Sequence, residues 1–313
     1  MKVTGLHHVR FAVTHLDQTE RFATDFGLHR VRREPDTLIM RTSGGDAFCY
    51  IAEAAAERGF RGLGFTVADR GALEEAVARH GATPIRELDT PGGGLGVSLV
   101  DPEGIRVDLV TGVAADRDPT GRPAPQPALR LNVPGDRPRH HLAQSTRELE
   151  PATLFRLGHV GVYVRDYARM SAWYQQVLGM KLSDTIYAGN PQHRIVGFLR
   201  IDAGAELVDH HTLFLVEFGR TDCHHISFEI QDFEAQFIAH RWLQQRGWSA
   251  NWGVGRHPLG SHVFDVWFDP DRYRFETFSD TDVVDGNRTP GNHDIATAQM
   301  DLWSPESPER YFA

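Results

Sequence analysis

Two short runs of β-branched, aromatic and apolar residues, about 150 residues apart, have related patterns. Leu6–Val13 and Leu157–Val164 each alternate in part between apolar and polar positions, which predicts a strand. Each run is followed by a segment with apolar residues at helical spacing, as at Met170, Trp173 and Val177 in the later copy. The pattern therefore predicts a repeated unit in which a strand leads into a helix.

The same unit occurs twice more, beginning at Phe65–Val67 and at Ser227–Ile230. An aspartate opens each predicted helix and a glycine closes it, which suits an N-cap and a left-handed C-terminal position. These pairs are Asp17 and Gly27, Asp69 and Gly81, Asp166 and Gly179, and Asp232 and Gly247. Because extended stretches with turn signals follow each helix, we predict four β-α-β-β-β modules arranged as two pairs. One module cannot close a barrel alone, so each pair is expected to form a half-open barrel in an α+β fold.

A segment rich in Pro, Arg and Asp, 114–153, predicts a linker between the two pairs. It separates an N-terminal two-module domain, 1–113, from a C-terminal two-module domain, 154–282. The remaining segment, 283–313, has mixed polarity, and a solvated tail and a flap over the mouth of a site are equally compatible with it. Its aromatic residues include Trp303, Tyr311 and Phe312.

Length and composition are those of a globular protein with two domains. The chain has 313 residues, of which 41% are hydrophobic and 24% charged. No apolar run approaches the ~20 residues of a membrane span, and no signal-peptide pattern opens the sequence. The net charge of −9 argues against nucleic acid and anionic membranes as partners. Two distant cysteines, Cys49 and Cys223, exclude a disulfide framework and favour a cytoplasmic location.

Candidate metal ligands lie on strands of the C-terminal domain. His159 is on the first strand of the third module, His225 follows 66 residues later on the first strand of the fourth, and Glu276 lies 51 residues further in an alternating strand. Each residue alone would more often be structural or solvated, but their equivalent module positions favour a shared site. Two imidazoles and one carboxylate form the ligand set of non-heme iron(II) oxygenases. Mn(II) accepts the same ligands, so the sequence leaves the choice of metal open.

The N-terminal domain provides an internal comparison. Aligning the two halves places His8 opposite His159, Gly62 opposite His225 and Asp108 opposite Glu276. Because glycine has no side chain to coordinate a metal, we predict that only the C-terminal domain has a metal site. The pair His7–His8 and His193 are interpreted as surface or structural residues.

At these positions the sequence resembles the type I extradiol dioxygenases of the vicinal oxygen chelate superfamily, such as catechol 2,3-dioxygenases and dihydroxybiphenyl dioxygenases. The resemblance covers the four-module layout of the whole chain, a glyoxalase-like fold, and is most specific over residues 157–280. The motifs that carry it are Leu157-Gly158-His159, His210-His211-Thr212-Leu213, His224-His225, Gly255-Arg256-His257, and Asp269-Pro270 followed by Glu276.

The resemblance implies a role for each of these residues. It selects His225 rather than His224 as the ligand, makes His211 the acid and base beside the oxygen site, and places His257 against a substrate hydroxyl. It also implies Fe(II), dioxygen as co-substrate, a small catechol-type substrate in aromatic hydrocarbon catabolism, a hydroxymuconic semialdehyde-type product, and a homo-oligomer.

One position departs from the family pattern. The family has a tyrosine ten residues before the ligand glutamate, whereas this chain has Val266, which cannot donate a hydrogen bond. His262 and Tyr273 lie nearby in sequence and are candidates for the substrate contact, although His262 would also suit the surface. The departure leaves open a hydroquinone or aminophenol as the ring that is cleaved. A glyoxalase-like metal-dependent isomerase or lyase and a metal-free small-molecule binding protein are also compatible with the sequence.

Overall fold

The computed structural model describes residues 1–116, 132–140 and 149–304. The first module contains β1 (Val3–Val13), α1 (Leu16–Phe26), β2 (His29–Arg33), β3 (Thr37–Arg41) and β4 (Tyr50–Ala54). The second contains β5 (Gly59–Val67), α2 (Arg70–His80), β6 (Arg86–Glu87), β7 (Leu95–Val100) and β8 (Arg106–Thr111).

The C-terminal half repeats this order with one added short strand. The third module contains β9 (Leu157–Val164), α3 (Tyr167–Leu178), β10 (Lys181–Tyr187), β11 (Arg194–Arg200), the two-residue β12 (Val208–Asp209) and β13 (Leu213–Glu217). The fourth contains β14 (Asp222–Glu229), α4 (Phe233–Gln245), β15 (Ser249–Arg256), β16 (Val263–Phe268) and β17 (Arg274–Ser279). Two strands follow it, β18 (Val283–Val284) and β19 (Gly291–Asp294).

Three of the four predicted helix starts are confirmed. Asp69, Asp166 and Asp232 each precede a helix, and each side chain accepts a hydrogen bond from the backbone N–H three residues later, at 3.1, 2.9 and 2.8 Å. The first turn of a helix leaves these N–H groups without helical partners, so the caps stabilise the starts of α2, α3 and α4.

The prediction for the start of α1 is wrong. The helix begins at Leu16, His15 occupies the N-cap position without a side-chain cap, and Asp17 lies inside the first turn. The carboxylate of Asp17 instead accepts a hydrogen bond from Arg33 at 2.6 Å, which directs it away from the backbone. An acidic residue in the first turn still interacts favourably with the helix dipole. Gly27 closes the helix with a φ of 120°, as predicted.

Each pair of modules forms one mixed sheet. The N-terminal sheet has eight strands in the order β2-β3-β4-β1-β5-β8-β7-β6, and the C-terminal sheet has nine in the order β15-β16-β17-β14-β9-β13-β11-β10-β19. The first strands of the paired modules lie side by side and antiparallel, β1 with β5 and β9 with β14. The predicted α+β fold of four modules in two sheet domains is confirmed.

The strand register confirms the predicted alignment of the two halves. Gly64 pairs with both His8 and Asp108 in the N-terminal sheet. At the equivalent place in the C-terminal sheet, Ser227 pairs with both His159 and Glu276. The neighbouring pairs also correspond, Arg10 with Gly62 and Gly161 with His225.

One apolar cluster joins the two halves, whereas the length suggested a separate core for each domain. The ring of Phe275 in the C-terminal sheet lies 5.1 Å from that of Phe22 and 5.5 Å from that of Tyr50, both in the N-terminal domain. These side chains are fully buried and belong to a cluster drawn from all four modules. Burial of large aromatic side chains is a major source of stability, so packing against the N-terminal domain stabilises the C-terminal sheet.

The predicted linker and tail are described only in part. Residues 117–131 and 141–148 of the predicted linker, and Tyr311 and Phe312 of the tail, lie outside the described residues. Within the tail, β18 pairs with β12 and β19 extends the C-terminal sheet beside β10. Trp303 is half exposed beneath the guanidinium of Arg256.

Among the residues with described structure, no helix is both long and apolar enough to cross a membrane.

Candidate metal centre

Three adjacent inner strands of the C-terminal sheet bring the predicted ligands together. His159 comes from β9, His225 from β14 and Glu276 from β17, and their exposed fractions are 3%, 5% and 0%. Their donor atoms lie within 4.8 Å of one another. The Nε2 of His159 is 3.2 Å from the Oε1 of Glu276. Two donors bound at right angles to one ion lie roughly 3 Å apart, so this spacing suits a shared metal.

Glycine at position 161 makes room for the second imidazole. Gly161 pairs with His225 across β9 and β14, next to an irregularity in the register between Cys223 and His225. A Cβ on Gly161 would lie 2.5 Å from the Nδ1 of His225, closer than side-chain atoms approach one another. The missing side chain therefore lets the imidazole lie across the strand.

Buried nitrogens without partners show that these residues suit a metal ion. The Nε2 atoms of His159 and His225 are buried and have no hydrogen-bond partner among the described residues. The approach of His159 to Glu276 is close but lacks hydrogen-bond alignment. Leaving a buried polar atom without a partner costs about 1–3 kcal/mol, a cost that a coordinated ion removes.

The charge states suit a divalent ion as well. Burial lowers the pKa of His225 to about 3, so its imidazole is neutral and offers a lone pair. Burial alone would raise the pKa of Glu276, but the imidazoles of His225 and His159 outweigh it and hold this pKa well below its usual range. Neutral imidazoles and an ionised carboxylate are the forms that a metal requires.

Side chains around the ligands hold their orientation. The hydroxyl of Ser227 donates to the Oε1 of Glu276 at 2.7 Å, and the Nδ1 atoms of His224 and His225 are 2.6 Å apart. Such contacts fix the rotamer of a ligand and the tautomer of an imidazole. The Nδ1 contact of His225 leaves its Nε2 to face the metal.

Two other sets of three residues also bring donor atoms within 4.8 Å in the described chain, His159 with His211 and His262, and His257 with His262 and Glu276. The first of these sets has no carboxylate to balance the charge of a divalent ion. In the second, His257 has its Nδ1 2.6 Å from the backbone oxygen of Met300. The set of His159, His225 and Glu276 is favoured because its members occupy equivalent strand positions in register. Its assignment as the ligand set stays a prediction.

The candidate centre opens into a cavity of about 820 Å³ that includes its mouth. Histidines line one part of its wall, and the rest consists of apolar side chains together with Gln299. The apolar part consists of Ile186, Val196, Phe198, Phe214, Pro258, Leu259, Ile295, Ala298 and Met300. Residues 295 and 298–300 come from the C-terminal tail, so the part of the tail that the structure describes forms a wall of the site.

The structure brings the other predicted histidines to the same cavity. His211 lies with its ring 4.4 Å from that of His159, and His257 stacks on Phe264 with ring centres 3.9 Å apart. His262 is 2% exposed, so it is not a surface residue, and its Nε2 is 3.8 Å from Glu276. Burial lowers the pKa of all three histidines, which keeps them neutral. Their catalytic and substrate-binding roles stay predictions.

The structure does not bring Val266 and Tyr273 to the cavity wall. Val266 pairs with Glu276 across β16 and β17, but it is buried in a small apolar cluster with Trp252 and Phe264. Tyr273 immediately precedes β17, and its ring is not among the described side chains that line the cavity, which argues against the predicted substrate contact. This ring packs 4.6 Å from that of Phe11 in the N-terminal domain.

The N-terminal counterpart of the site is closed to a second imidazole. Gly62 has a φ of 145°, and a Cβ there would lie 2.4 Å from the backbone oxygen of Arg106. His8 and Asp108 are buried and their side chains approach to 3.4 Å. His7 and His8 are therefore structural, whereas His193 is exposed.

Sequence reasoning missed two features of the site. Asp184 on β10 contacts His210 beside the predicted acid and base, and the tail carbonyl of Met300 contacts His257. Neither was visible as a motif, because Asp184 lies in an ordinary strand and Met300 in a segment of mixed polarity. In the sequence, the adjacent pair His210–His211 was the feature that could have pointed to a hydrogen-bond network at this place.

Comparisons with known proteins agree with this fold. Residues 156–277 match the family model described as the Glyoxalase/Bleomycin resistance protein/Dioxygenase superfamily. A curated relative, metapyrocatechase 2 from Cupriavidus necator, is 26% identical over 99% of this chain and 91% of its own length.

Solved structures share the fold over nearly the whole chain. Homoprotocatechuate 2,3-dioxygenase from Arthrobacter globiformis is similar with a TM-score of 0.80 and 18% identity, covering 100% of this chain and 91% of its own. A Mn(II)-bound glyoxalase from Novosphingobium aromaticivorans is similar with a TM-score of 0.78 and 21% identity, covering 99% of this chain and 94% of its own. The predicted vicinal oxygen chelate fold and the resemblance to extradiol dioxygenases are confirmed.

Proposed function

We propose that this chain is an iron(II)-dependent extradiol dioxygenase that opens the ring of a catechol-type substrate with dioxygen. The observation that carries the proposal is the convergence of the buried side chains of His159, His225 and Glu276 beside a cavity with a largely apolar wall. A bound iron(II) would supply the redox chemistry and the open coordination positions that non-heme iron oxygenases use. The product would be a hydroxymuconic semialdehyde-type compound that contains both oxygen atoms.

The protein's own residues would orient the substrate and move a proton. The Nδ1 of His257 is 2.6 Å from the carbonyl of Met300, and a carbonyl only accepts, so this nitrogen carries the hydrogen. Its Nε2 can therefore accept a hydrogen bond from a substrate hydroxyl. His211 is neutral and can take up a proton and return it later, as a general base and then a general acid. The apolar wall excludes water from the reacting ring.

His262 would assume part of the role of the missing tyrosine. Both of its ring nitrogens are buried and lack hydrogen-bond partners among the described residues. The side chain lines the cavity within 3.8 Å of Glu276, close to where a chelating substrate would lie. An imidazole N–H can donate the hydrogen bond that Val266 cannot.

We expect a neutral catechol with an apolar substituent to be preferred over one that carries a carboxylate. No lysine or arginine is among the described residues that line the cavity. A carboxylate buried there would lose its hydration without gaining an ion pair, which disfavours binding strongly. In oxygen-uptake assays, kcat/KM for an alkylcatechol should exceed that for homoprotocatechuate by at least about tenfold, equivalent to about 1.4 kcal/mol. Equal kcat/KM values for the two substrates would contradict the conclusion that the cavity wall offers no cation to a substrate carboxylate.

Metal analysis combined with oxygen uptake tests the reaction class. We expect about one iron per chain and uptake of one dioxygen per catechol, with a yellow ring-opened product. Uptake with hydroquinones or aminophenols alone would change the substrate class. The glyoxalase neighbour makes an isomerase the second candidate, which would hold a metal without oxygen uptake. A chain that binds a catechol without any metal would instead be a binding protein.

We also propose a cytoplasmic homo-oligomer that acts on a small aromatic compound. The cytoplasmic location is supported by Cys49 and Cys223, which are both free and buried. The oligomeric state follows from the family resemblance, and light scattering tests it.

A further inference from the structure

Four donors surround one buried carboxylate next to the candidate centre. The side chain of Asp184 is 2% exposed, and its oxygens accept hydrogen bonds from different parts of the chain. The donors are the Nε2 of His210 at 2.7 Å, Arg288 at 2.7 Å, the backbone N–H of Gly291 at 2.9 Å, and the Nε2 of His293 at 3.1 Å. Three of these four residues belong to the tail.

The strand pairing and a glycine allow the carboxylate of Asp184 to lie close to the backbone of the tail. Asp184 on β10 pairs with Gly291 on β19, and a Cβ on Gly291 would lie 2.2 Å from the Oδ1 of Asp184. Only a glycine leaves space for the carboxylate at this position. Burial raises the pKa of Asp184, but the hydrogen bonds from His210, His293 and Arg288 outweigh it and hold this pKa well below its usual range. Asp184 is therefore ionised and only accepts.

The ionised state of Asp184 fixes the direction of its hydrogen bond with His210, which in turn contacts His211. Because Asp184 only accepts, the Nε2 of His210 must carry its hydrogen. The guanidinium of Arg288 contacts the same oxygen, Oδ2, of Asp184 at 2.7 Å. The other ring nitrogen of His210, Nδ1, lies 3.1 Å from the Nδ1 of His211. One of these two nitrogens must donate to the other, so His210 sets which nitrogen of His211 carries the hydrogen.

We propose that Asp184 and His210 are positioning residues that hold His211 in its Nδ1–H tautomer, with the lone pair of Nε2 available to the cavity. This inference rests on the proposed function, in which His211 first takes up a proton. The opposite tautomer has a hydrogen on Nε2 and cannot accept a proton there. The orientation of His211 is thereby linked to the docking of the tail, which also contacts His257 through Met300.

Histidine NMR of the full-length, metal-free protein tests the tautomer without requiring activity. We expect the ¹⁵N shifts of His211 to show a protonated Nδ1 and an unprotonated Nε2. Asp184→Asn leaves one amide oxygen for the four donors, so the hydrogen bond from the Nε2 of His210 should be weakened. The ¹⁵N shifts of His211 should then show a mixture of its two tautomers.

We expect the turnover number to fall when His211 loses its Nδ1–H tautomer. We expect Asp184→Asn to lower kcat roughly 10- to 100-fold, with KM and metal content within about twofold of wild type. His210→Phe keeps Asp184 with the tail but removes the Nδ1 acceptor, so it should lower kcat similarly and leave His211 without a preferred tautomer. The matched control is His293→Gln, which contacts the other oxygen of Asp184 and should leave both tautomer and kcat unchanged.

Two results would overturn the proposal: an Nε2–H tautomer of His211 in the wild type, or a loss of kcat in Asp184→Asn that His210→Phe does not reproduce. The second result would assign the effect to the tail alone. If the wild type cleaves no ring, the proposed function fails, while the tautomers of the three variants still decide the inference about Asp184 and His210.

Discussion

Replacing His225 with alanine is expected to remove the bound metal and to reduce turnover by at least about 10³-fold. The Nε2 of His225 is a buried nitrogen without a hydrogen-bond partner in the described chain, and its removal leaves one imidazole and one carboxylate for the ion. Loss of one of three protein ligands lowers affinity far more than loss of a residue outside the coordination sphere, which costs 10- to 100-fold. Metal content by elemental analysis and oxygen uptake should fall together.

His262→Ala is the matched control for this variant. His262 is buried in the same cavity and belongs to both of the less favoured donor sets, but not to the favoured one. We therefore expect His262→Ala to keep about one metal per chain while raising the KM for a catechol. Loss of metal in His262→Ala with retention in His225→Ala would transfer the site to one of the sets that contain His262.

Replacing His211 with alanine is expected to slow turnover by about 10²- to 10⁴-fold while the metal stays bound. General acid and base catalysis by one side chain contributes a factor of this size. His211 lines the cavity beside His159, and the contact of its Nδ1 with His210 can hold the ring without an ion. The KM for the substrate should change little, because the proton transfer occurs after binding.

The test of this second prediction is the separation of metal content from kcat. His211→Ala with full metal content and low kcat supports a role in proton transfer. Loss of metal in this variant would instead place His211 among the ligands, as in the donor set with His159 and His262. Retention of wild-type kcat would show that another group carries the proton.

Much of the fold could be predicted because the sequence contains its own comparison. The repeated strand and helix patterns gave the four modules, and the alignment of Gly62 with His225 agrees with the register of the strands. The start of α1 was not predictable from Asp17 alone, since the contact with Arg33 depends on the tertiary structure. The shared aromatic core around Phe275 was also beyond the sequence pattern, which does not reveal how two sheets pack.

The candidate ligand positions could be proposed from the sequence because a metal site requires particular residue types. The contacts of the residues around the candidate ligands could not be predicted, because they join segments that are distant in sequence. Asp184 and Gly291 meet only when the tail adds a strand to the sheet. The burial of His262 depends on the loop that precedes β16, and no periodic pattern describes such a loop.

Anomalous diffraction at the iron edge, from crystals of the protein loaded with iron(II) without oxygen, tests the central claim most directly. We expect one peak per chain, about 2.0–2.6 Å from an imidazole nitrogen of His159, an imidazole nitrogen of His225 and a carboxylate oxygen of Glu276. His211 and His262 should lie beyond coordination distance. A peak coordinated by His262, or no peak within reach of His225 and Glu276 together, would contradict the account.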